Sequence, residues 1–478
     1  MAEIHSGATV TPTKLELLPE WMSRQRWYTA KGRIPHLRKL WSWRLDDPAG
    51  QVGIETLLVV DEGGDVPVVY QVPLTYRGAP LEDAQNALVG TMHHSVLGQR
   101  WVYDGPQDPV YAAQLLQLVL GHATAQAGSQ SDTAEPAVRG VRHAMAPEVH
   151  LRGSRILSGE QSNTSIIYDC TDADGAARPL ICKVFRTLQA GENPDVVVQG
   201  ALAEAGSARV PGMVGSVSAE WPEVTDAGSR DHGHLAFAQE FYPGTEDAWR
   251  VALRAVAAGE DFTASARELG AATAEVHALL ASVMPTQEVT PEAVTATAAG
   301  MRRRYVAAAS EVPAIAAYDH EIAAVFDEAV ASPWPPLQRI HGDYHLGQVL
   351  QVPGRGWVLL DFEGEPLRPL AERNRPDLAV RDIAGMLRSF DYAAGSWERA
   401  HPGVSAREWA EDAQLAFLDG YAASAGRDPR QDSALLTALQ LDKALYEIVY
   451  EARNRPTWLS IPTDAVVRLL DEARKAIR

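Results

Sequence analysis

Two short polar segments carry the residues best suited to chemistry in this sequence. The first, residues 341–348, reads HGDYHLGQ, and the second, residues 361–364, reads DFEG and follows an apolar run. Because Asp343 and Gln348 are five residues apart, one turn of loop can direct a carboxylate at a substrate hydroxyl and an amide oxygen at a metal ion. Asp361, at the end of a predicted strand, supplies a second metal ligand. Phosphoryl transfer depends on positioning and charge neutralisation, and this set predicts both.

A metal-hydrolase site is the main rival interpretation of the first segment. His341, Asp343 and His345 alternate as ligands on an extended segment do. The neighbouring sequence does not complete such a ligand set, so we expect His341 to brace the loop by hydrogen bonding. Either segment alone is also compatible with ordinary turn chemistry, because Gly and Asp favour turns. The presence of both, in this order and each after an apolar run, favours phosphoryl transfer.

Composition places the chain among large globular proteins. With 478 residues, 46% hydrophobic and 22% charged, it is long enough for two or three domains. The net charge of -19 and the pI near 5.2 argue against general nucleic-acid or anionic-membrane binding. Cys170 and Cys182 are too few for a disulfide framework. No secretion signal or apolar run of about 18 residues appears. We therefore expect a soluble, cytoplasmic protein.

Three parts are predicted along the chain. Residues 1–90 form a small α+β cap, with strands at 55–60 and 68–72. Residues 91–242 form an intermediate and nucleotide-binding lobe, and residues 243–478 form an Ala-rich helical lobe interrupted by the motif strands. Within the second part, we expect a helix near 110–120, followed at 126–136 by a small-polar segment that is typical of a flexible linker.

Lys183 lies in one of two predicted paired strands, 165–168 and 180–185. A lysine inside an apolar strand costs several kcal/mol unless its ammonium meets anionic partners, and a nucleotide phosphate and a carboxylate are the expected ones. The alternative is that Lys183 faces solvent on a half-buried strand. Asp195 and Glu204 both remain possible as the carboxylate partner.

Two further segments are candidates for nucleotide binding. The loop at 158–165 precedes the first strand of the pair and has small hydroxyl and amide side chains that suit phosphate oxygens, although a polar hairpin loop would look the same. The segment at 237–242 is placed to be a hinge whose backbone reads the adenine edge. With Lys183, the predicted nucleotide-binding residues are Ser162, Asn163, Thr164, Gln239, Glu240 and Tyr242.

A predicted C-terminal helix carries the clue to the substrate. Pro456 ends this helix and Trp458 follows in the turn. One helix face mixes aromatic and charged residues, which suits a polyhydroxylated ligand because sugar C–H faces stack on aromatic rings. A solvated face with Glu-to-Arg pairs is the alternative. The polar residues of this face are Lys443, Tyr446, Glu447, Tyr450 and Asn454.

Taken together, these motifs resemble those of bacterial maltokinases. The resemblance covers nearly the whole chain and rests on residues 26–28, 160–165, 183–186, 341–350, 361–366, 381–390 and 442–462. It implies an α+β, bilobal protein-kinase-like fold of the aminoglycoside-phosphotransferase type, with an extra N-terminal cap and a mainly helical C-terminal lobe. It also implies transfer of the γ-phosphate of ATP to the anomeric hydroxyl of maltose, giving maltose 1-phosphate for α-glucan (glycogen) synthesis from trehalose and maltose.

The resemblance assigns roles by position. Asp343 would orient the anomeric hydroxyl and accept its proton, Gln348 and Asp361 would bind Mg²⁺, and Lys183 would contact the ATP phosphates. Asp382 would orient the sugar or brace the loop, and Arg388 would be structural. The implied sugar-site residues are His341, Asp343, Asp382, Lys443, Tyr446, Tyr450, Arg453 and Trp458.

Two other classes of function stay open. A related kinase would act on glucosamine, another sugar or an aminoglycoside, and would favour a carboxylate-rich pocket for the amine. A non-catalytic sugar or nucleotide sensor is disfavoured because Lys183, Asp343, Gln348 and Asp361 are all present. We expect a monomer or weak oligomer whose cap packs on the nucleotide lobe rather than docking a partner such as trehalose synthase.

Overall fold

The computed structural model describes residues 7–128, 132–159, 162–226, 228–365 and 368–476. The chain divides into two compact units. The first comprises Met1–Val196 and Gly212–Pro243, and the second comprises Val197–Pro211 and Gly244–Arg478. In the part of the chain that the structure describes, no helix combines the length and apolar character needed to cross a bilayer.

The first unit is rich in strands. Its helices are α1 (Lys14–Ser23), α2 (Pro109–Val119) and the first turn of α3 (Pro194–Glu204). Its strands are β1 (Val10–Thr11), β2 (Leu37–Leu45), β3 (Gly53–Asp61), β4 (Val68–Arg77), β5 (Leu88–His94), β6 (Gly98–Asp104), β7 (Gln126–Ala127), β8 (Val138–Arg142), β9 (His150–Ile156), β10 (Asn163–Thr171), β11 (Leu180–Phe185), β12 (Thr187–Leu188), β13 (Met213–Pro222) and β14 (Arg230–Glu240).

The N-terminal strands form an antiparallel sheet, here called the cap sheet, in the order β1-β5-β6-β4-β3-β2-β7. Alternate side chains of a strand point to opposite faces, and both faces of β3 are buried. Leu57 and Val59 pack in one core with Trp21 of α1, whereas Leu58 and Val60 pack in a second core that includes α2. This double burial explains why β3 is an almost continuous apolar run.

A second antiparallel sheet carries Lys183, in the order β8-β13-β14-β11-β10-β9. Strands β10 and β11 pair with Ser165 opposite Lys183, which confirms the predicted strand pair. The cap sheet is joined to this region because β12 pairs with β4. The buried Gln71 amide of β4 also donates to the carbonyl oxygens of Phe185 and Leu235, at 2.8 and 2.9 Å. The cap therefore packs on the nucleotide lobe, as expected.

The second unit is mainly helical. Its helices are α4 (Ala248–Ala258), α5 (Thr263–Val283), α6 (Pro291–Glu311), α7 (Asp319–Ala331), α8 (Leu370–Arg373), α9 (Ala379–Ala400), α10 (Arg407–Ala425), α11 (Ser433–Asn454) and α12 (Ser460–Ala476). The short strands β15 (Glu246–Asp247), β16 (Val349–Val352) and β17 (Gly356–Leu359) form a sheet in that order. Helix α9 is buried along most of its length, so it forms the centre of this unit's core.

Two sequence predictions about the first unit need correction. The boundary near residue 90 falls inside β5, and the cap sheet continues through β6 because the two strands are hydrogen-bonded neighbours. The segment at 126–136 is not a linker where it is described, because β7 pairs with β2 and Gln126 bridges to Ala134. Residues 129–131 lie outside the described residues. Small polar side chains hid this pairing, which is made by backbone groups alone.

Candidate active site

Asp382, in the first turn of α9, braces the loop that carries Asp343. Its carboxylate accepts the backbone N–H groups of His341 and Gly342, at 2.7 and 2.9 Å. A third contact, 3.1 Å long, links it to Nε2 of His277. Burial opposes the charged form, yet the bonds from His277 and the loop hold the pKa of Asp382 below its ordinary value. Of the two roles left open for Asp382, the geometry favours the brace.

His341 is a buried support of the same loop. Its Nε2 lies 2.8 Å from the carbonyl oxygen of Leu360, and its Nδ1 faces the backbone N–H of Asp343 at 3.4 Å. The ring packs on Phe362 with centroids 4.8 Å apart, and only 2% of the residue is exposed. Both ring nitrogens therefore face backbone groups, which removes the basis of the metal-hydrolase interpretation. Because His341 is buried, it does not offer its ring nitrogens to a sugar, contrary to the sugar contact implied for it.

Helix α9 approaches the loop so closely that one position admits only glycine. A Cβ on Gly385 would lie 2.6 Å from the backbone oxygen of Tyr344. Tyr344 is itself buried, and its hydroxyl lies 2.8 Å from the Thr273 hydroxyl. Position 385 thus sets the distance between the helix and the loop.

Asp343 meets a lysine from α11. The Lys443 ammonium lies 3.1 Å from a carboxylate oxygen of Asp343 and 2.9 Å from one of Glu365. Arg368 contacts Glu365 on its other oxygen, at 2.9 Å. Burial would raise the pKa of Glu365, but Lys443 and Arg368 lower it to about 2. Burial also disfavours the charged form of Lys443. The negative charges of Glu365 and Asp343 outweigh this effect, so the pKa of Lys443 is raised.

A second buried acid lies beside this group. Asp442 receives Nη1 of Arg304 on both carboxylate oxygens, at 2.8 Å, and Nη1 of Arg381 at 3.1 Å. Sequence reasoning missed the roles of Arg304, Arg381, Asp442 and Glu365. None of the four belongs to the face of α11 that the periodicity indicated. They share a charged side chain, and the fold brings all four to the lining of one pocket.

The aromatic residues of the predicted sugar face follow one another along α11 and beyond. The Lys443 ammonium lies 4.9 Å from the ring centroid of Tyr446. Burial, and then the charge of Glu365, raise the pKa of Tyr446 to about 12, so its hydroxyl keeps its proton at neutral pH. Tyr450 is 42% exposed, and the Arg455 guanidinium lies over both Tyr450 and Trp458, at 5.5 and 4.8 Å from the ring centroids.

Two other arginines on these helices make ion pairs. Arg453, implied as a sugar contact, is 62% exposed in its side chain and pairs with Glu311 of α6 at 2.7 Å. Arg388 of α9 is fully buried and binds Glu447 at 2.7 Å. These contacts give Arg388 the structural role expected of it and engage Arg453 with a protein acid.

Gln348 and Asp361 are adjacent, as a shared metal role requires. The Gln348 amide nitrogen lies 3.0 Å from a carboxylate oxygen of Asp361, so both side chains converge on one point. Asp361 has a φ of 66°, in the left-handed region that costs a non-glycine residue free energy. A carboxylate and an amide oxygen are the hard donors that Mg²⁺ prefers, so these residues fit the metal.

In the first unit, Lys183 pairs with Asp195. Their charged atoms lie 2.7 Å apart, with the Asp195 side chain fully buried and that of Lys183 13% exposed. This contact identifies Asp195, and not Glu204, as the carboxylate partner of Lys183. Glu204 is the last residue of α3 and belongs to the second unit. Lys183 is therefore not a solvent-facing lysine.

The other predicted nucleotide residues lie on or next to β10 and β14, the two strands that flank β11, and at opposite ends of β11. Asn163 and Thr164 begin β10, with Ser162 exposed just before them, whereas residues 160 and 161 lie outside the described residues. Gln239 and Glu240 end β14. The Glu240 carboxylate accepts the Tyr242 hydroxyl at 2.9 Å, at the C-terminal end of the predicted hinge segment.

Comparison with known proteins assigns the family. The model of the phosphotransferase enzyme family called APH matches residues 174–435, which is more than half of the chain. The chain belongs to this phosphotransferase family. The model of the maltokinase N-terminal cap domain matches residues 21–108. The predicted kinase-like fold with an N-terminal cap and the predicted reaction class, phosphoryl transfer, are thereby confirmed.

Curated relatives of this phosphotransferase include two glucosamine kinases. The protein from Streptacidiphilus jiangxiensis is 30% identical over 364 residues, covering 72% of this chain and 79% of that protein. The protein from Mycolicibacterium smegmatis is 29% identical over 348 residues, covering 67% and 80%. A solved glucosamine kinase in complex with glucosamine, ADP and inorganic phosphate shares the fold, with a TM-score of 0.66 and 23% identity over 96% of this chain and 100% of that one.

Proposed function

We propose that this phosphotransferase transfers the γ-phosphoryl group of ATP to the anomeric hydroxyl of maltose, giving maltose 1-phosphate and ADP. The hydroxyl oxygen forms a bond to the γ-phosphorus as the bond to the ADP oxygen breaks. Asp343 orients the hydroxyl and accepts its proton. The product would feed α-glucan synthesis from trehalose and maltose.

The pairing of the buried acids around Asp343 carries the proposal that the acceptor is a neutral sugar. Glu365 contacts Lys443 and Arg368, and Asp442 contacts Arg304 and Arg381. An ammonium group on the acceptor would have to displace one of these cations or stay near Lys443 without compensation. Hydroxyl groups, by contrast, can donate to the carboxylates and accept from the cations already present.

Two other observations support maltose within the class of neutral sugars. The match of the cap to a maltokinase model covers a part of the chain that is separate from the phosphotransferase match. The aromatic residues Tyr446, Tyr450 and Trp458 follow Lys443 along and just beyond α11, and their rings would offer faces on which a second sugar ring can stack. Lys443 and Tyr446 would contact the sugar ring nearest to Asp343.

The nucleotide would be held by residues of the first unit. Lys183, fixed by Asp195, would contact the phosphates, and Ser162, Asn163 and Thr164 would supply polar groups to them. Gln239, Glu240 and Tyr242 would form the adenine hinge. Gln348 and Asp361 would hold Mg²⁺, which would neutralise negative charge on the phosphates.

Glucosamine is the second candidate acceptor, because both curated relatives described above are glucosamine kinases. The two proposals differ in one chemical respect. Glucosamine carries an amine that is protonated near neutral pH, whereas maltose carries only hydroxyl and ether oxygens. The charge balance beside Asp343 favours maltose.

The test is a product assay on the full-length protein. The protein is incubated with ATP, Mg²⁺ and either maltose, glucose, glucosamine or kanamycin, and the products are read by phosphorus NMR. Maltose 1-phosphate as the main product supports the proposal, and preferential labelling of glucosamine or another acceptor overturns the assignment of maltose. Asp343→Asn should lower kcat by roughly 10²- to 10⁴-fold, the range for loss of a general base. Retained turnover in that variant would remove Asp343 from the mechanism.

A further inference from the structure

Ser389 is a buried serine of α9 to which the proposed mechanism gives no part. Only 8% of the residue is exposed, and its Oγ accepts the backbone N–H of Leu346 at 3.0 Å. Leu346 is fully buried and begins a single 3₁₀ turn, Leu346–Gln348. The last residue of this turn is the predicted metal ligand Gln348. The hydroxyl of Ser389 therefore ties α9 to the turn that carries a metal ligand.

The loop that contains Asp343 is supported by α9 at two separate places. Asp382 and Gly385 lie against the loop beside Asp343. Ser389 binds the loop further along, two residues before Gln348. Positions 382, 385 and 389 are three and four residues apart, so they share one face of the helix. This face therefore supports the proposed proton acceptor and the metal ligand through different residues.

The turn is short, so the position of its first residue sets the direction of its last. The carbonyl oxygen of His345 accepts the N–H of Gln348 at 2.9 Å, which closes the turn. The carbonyl oxygen of Gln348 accepts the N–H of Leu360 at 2.9 Å, one residue before Asp361. The Gln348 amide nitrogen lies 3.0 Å from a carboxylate oxygen of Asp361. A shift of the turn at Leu346 would thus move the Gln348 side chain relative to Asp361.

Loss of the Ser389 hydroxyl would favour such a shift. The N–H of Leu346 would lose its acceptor, and a buried N–H without an acceptor costs free energy. The turn would recover a hydrogen bond only by leaving its present position. Outer partners of this kind orient the groups that bind a metal, and their loss typically lowers metal affinity by about 10- to 100-fold.

We propose that Ser389 is a positioning residue that orients Gln348 towards Asp361 and thereby sets the affinity of the site for Mg²⁺. This role rests on the metal site proposed above, and it does not depend on which acceptor is phosphorylated. It separates the two supports that α9 gives to the loop, because Asp382 acts on Asp343 whereas Ser389 acts on the metal.

The experiment compares Ser389→Ala with Thr273→Val in the full-length protein. Thr273 is a matched control, because its hydroxyl is also buried and lies 2.8 Å from the hydroxyl of Tyr344, in the same loop but before the turn. For each variant we measure ADP binding by calorimetry, first in EDTA and then over a series of Mg²⁺ concentrations. The melting temperature is recorded in parallel. ADP is the probe and no acceptor is added, so a wrong assignment of maltose leaves the result intact.

We expect Ser389→Ala to raise the Mg²⁺ midpoint, the concentration that gives half of the full effect on ADP binding, by about 10-fold. The Kd for ADP in EDTA should change less than about 2-fold, because the turn acts through the metal. Thr273→Val should lower the melting temperature and keep the Mg²⁺ midpoint within about 2-fold of that of the wild type. Equal shifts of the midpoint in both variants, or an unchanged midpoint in Ser389→Ala, would overturn the proposal.

A double-variant cycle tests whether the effect passes through Gln348. In a Gln348→Ala background, Ser389→Ala should change the Mg²⁺ midpoint by less than about 2-fold, because the oriented amide is already absent. Full additivity of the two substitutions would refute the connection. If Ser389→Ala does not fold, Ser389→Cys takes its place, since a thiol is a weaker acceptor and should shift the midpoint in the same direction. A wild-type protein whose ADP binding does not respond to Mg²⁺ would instead remove the proposed metal site.

Discussion

Replacing Lys443 with methionine should destabilise the protein in a pH-dependent way. The substitution keeps most of the alkyl chain but removes the ammonium that lies 2.9 Å from Glu365 and 3.1 Å from Asp343. Glu365 would then remain buried with Arg368 as its nearest cation. Breaking one side of a buried ion pair is costly because it leaves an uncompensated charge.

The pKa of Glu365 sets the size of the effect. Lys443 is the largest of the influences that lower this pKa from 4.5 to about 2. That difference corresponds to about 3.4 kcal/mol at about 1.36 kcal/mol per pH unit, and it includes the smaller effects of the arginines. We therefore expect Lys443→Met to lower the free energy of unfolding by about 2 to 3 kcal/mol at pH 7.

The sign of the pH dependence follows from the two pKa shifts. The pKa of Glu365 is lowered by folding, so its stabilisation is present above about pH 4.5 and is lost as the pH falls towards 2. The pKa of Lys443 is raised by folding, so its contribution is present below about pH 10.5 and is lost as the pH rises through the folded value. The difference between wild type and variant should be largest between these limits.

Urea unfolding followed by tryptophan fluorescence at pH 7, 5 and 3.5 measures this difference. Arg453→Met is the matched control on the same helix, because its exposed pair with Glu311 should contribute roughly 0 to 1 kcal/mol. Equal losses in the two variants at pH 7, or a loss in Lys443→Met that is as large at pH 3.5 as at pH 7, would refute the reasoning. The variant should also accept glucosamine relatively better, since an acceptor ammonium can replace the one removed.

Two further substitutions test the supports of the site. Gly385→Ala should lower the free energy of unfolding by about 1 to 3 kcal/mol and lower kcat, because its Cβ would meet the Tyr344 backbone oxygen. Gly395→Ala on the same helix is the control. Its Cβ would meet only a side chain, so it should lower the melting temperature less in thermal melts. Asp195→Asn should raise KM for ATP about 10-fold or more through loss of the charged contact with Lys183, and an unchanged KM in steady-state assays would argue against the pairing.

Local sequence signals predicted secondary-structure elements well where neighbouring residues in the chain alone determine the element. The strand pair around Lys183 has β-branched and apolar residues on both sides of a turn, and it is present with Ser165 opposite Lys183. Helix α11 ends at Asn454, and the next residue, Arg455, directly precedes Pro456. This agrees with the steric effect of proline, which disfavours helical backbone at the residue before it. The segment at 126–136 was misjudged because backbone pairing leaves no trace in small polar side chains.

The site residues were predicted unevenly for the same reason. Asp343, Gln348 and Asp361 lie in short motifs whose spacing predicts their chemistry, and the pair Gln348 and Asp361 is in contact. Arg304 and Asp442 are 138 residues apart in sequence, and their contact depends on how α6 packs against α11. No periodicity within one helix can reveal a partner on another.

The sequence by itself predicted the reaction class, because phosphoryl transfer needs a small set of polar residues at fixed spacing on loops after apolar strands. Its resemblance to maltokinases implied the fold type. Tertiary structure alone decided which charges are paired. It chose Asp195 for Lys183, placed Lys443 between Asp343 and Glu365, and engaged Arg453 with Glu311. The physical reason is distance: Coulomb energy and desolvation depend on separations of a few ångströms between residues far apart in the chain, and only packing sets those separations.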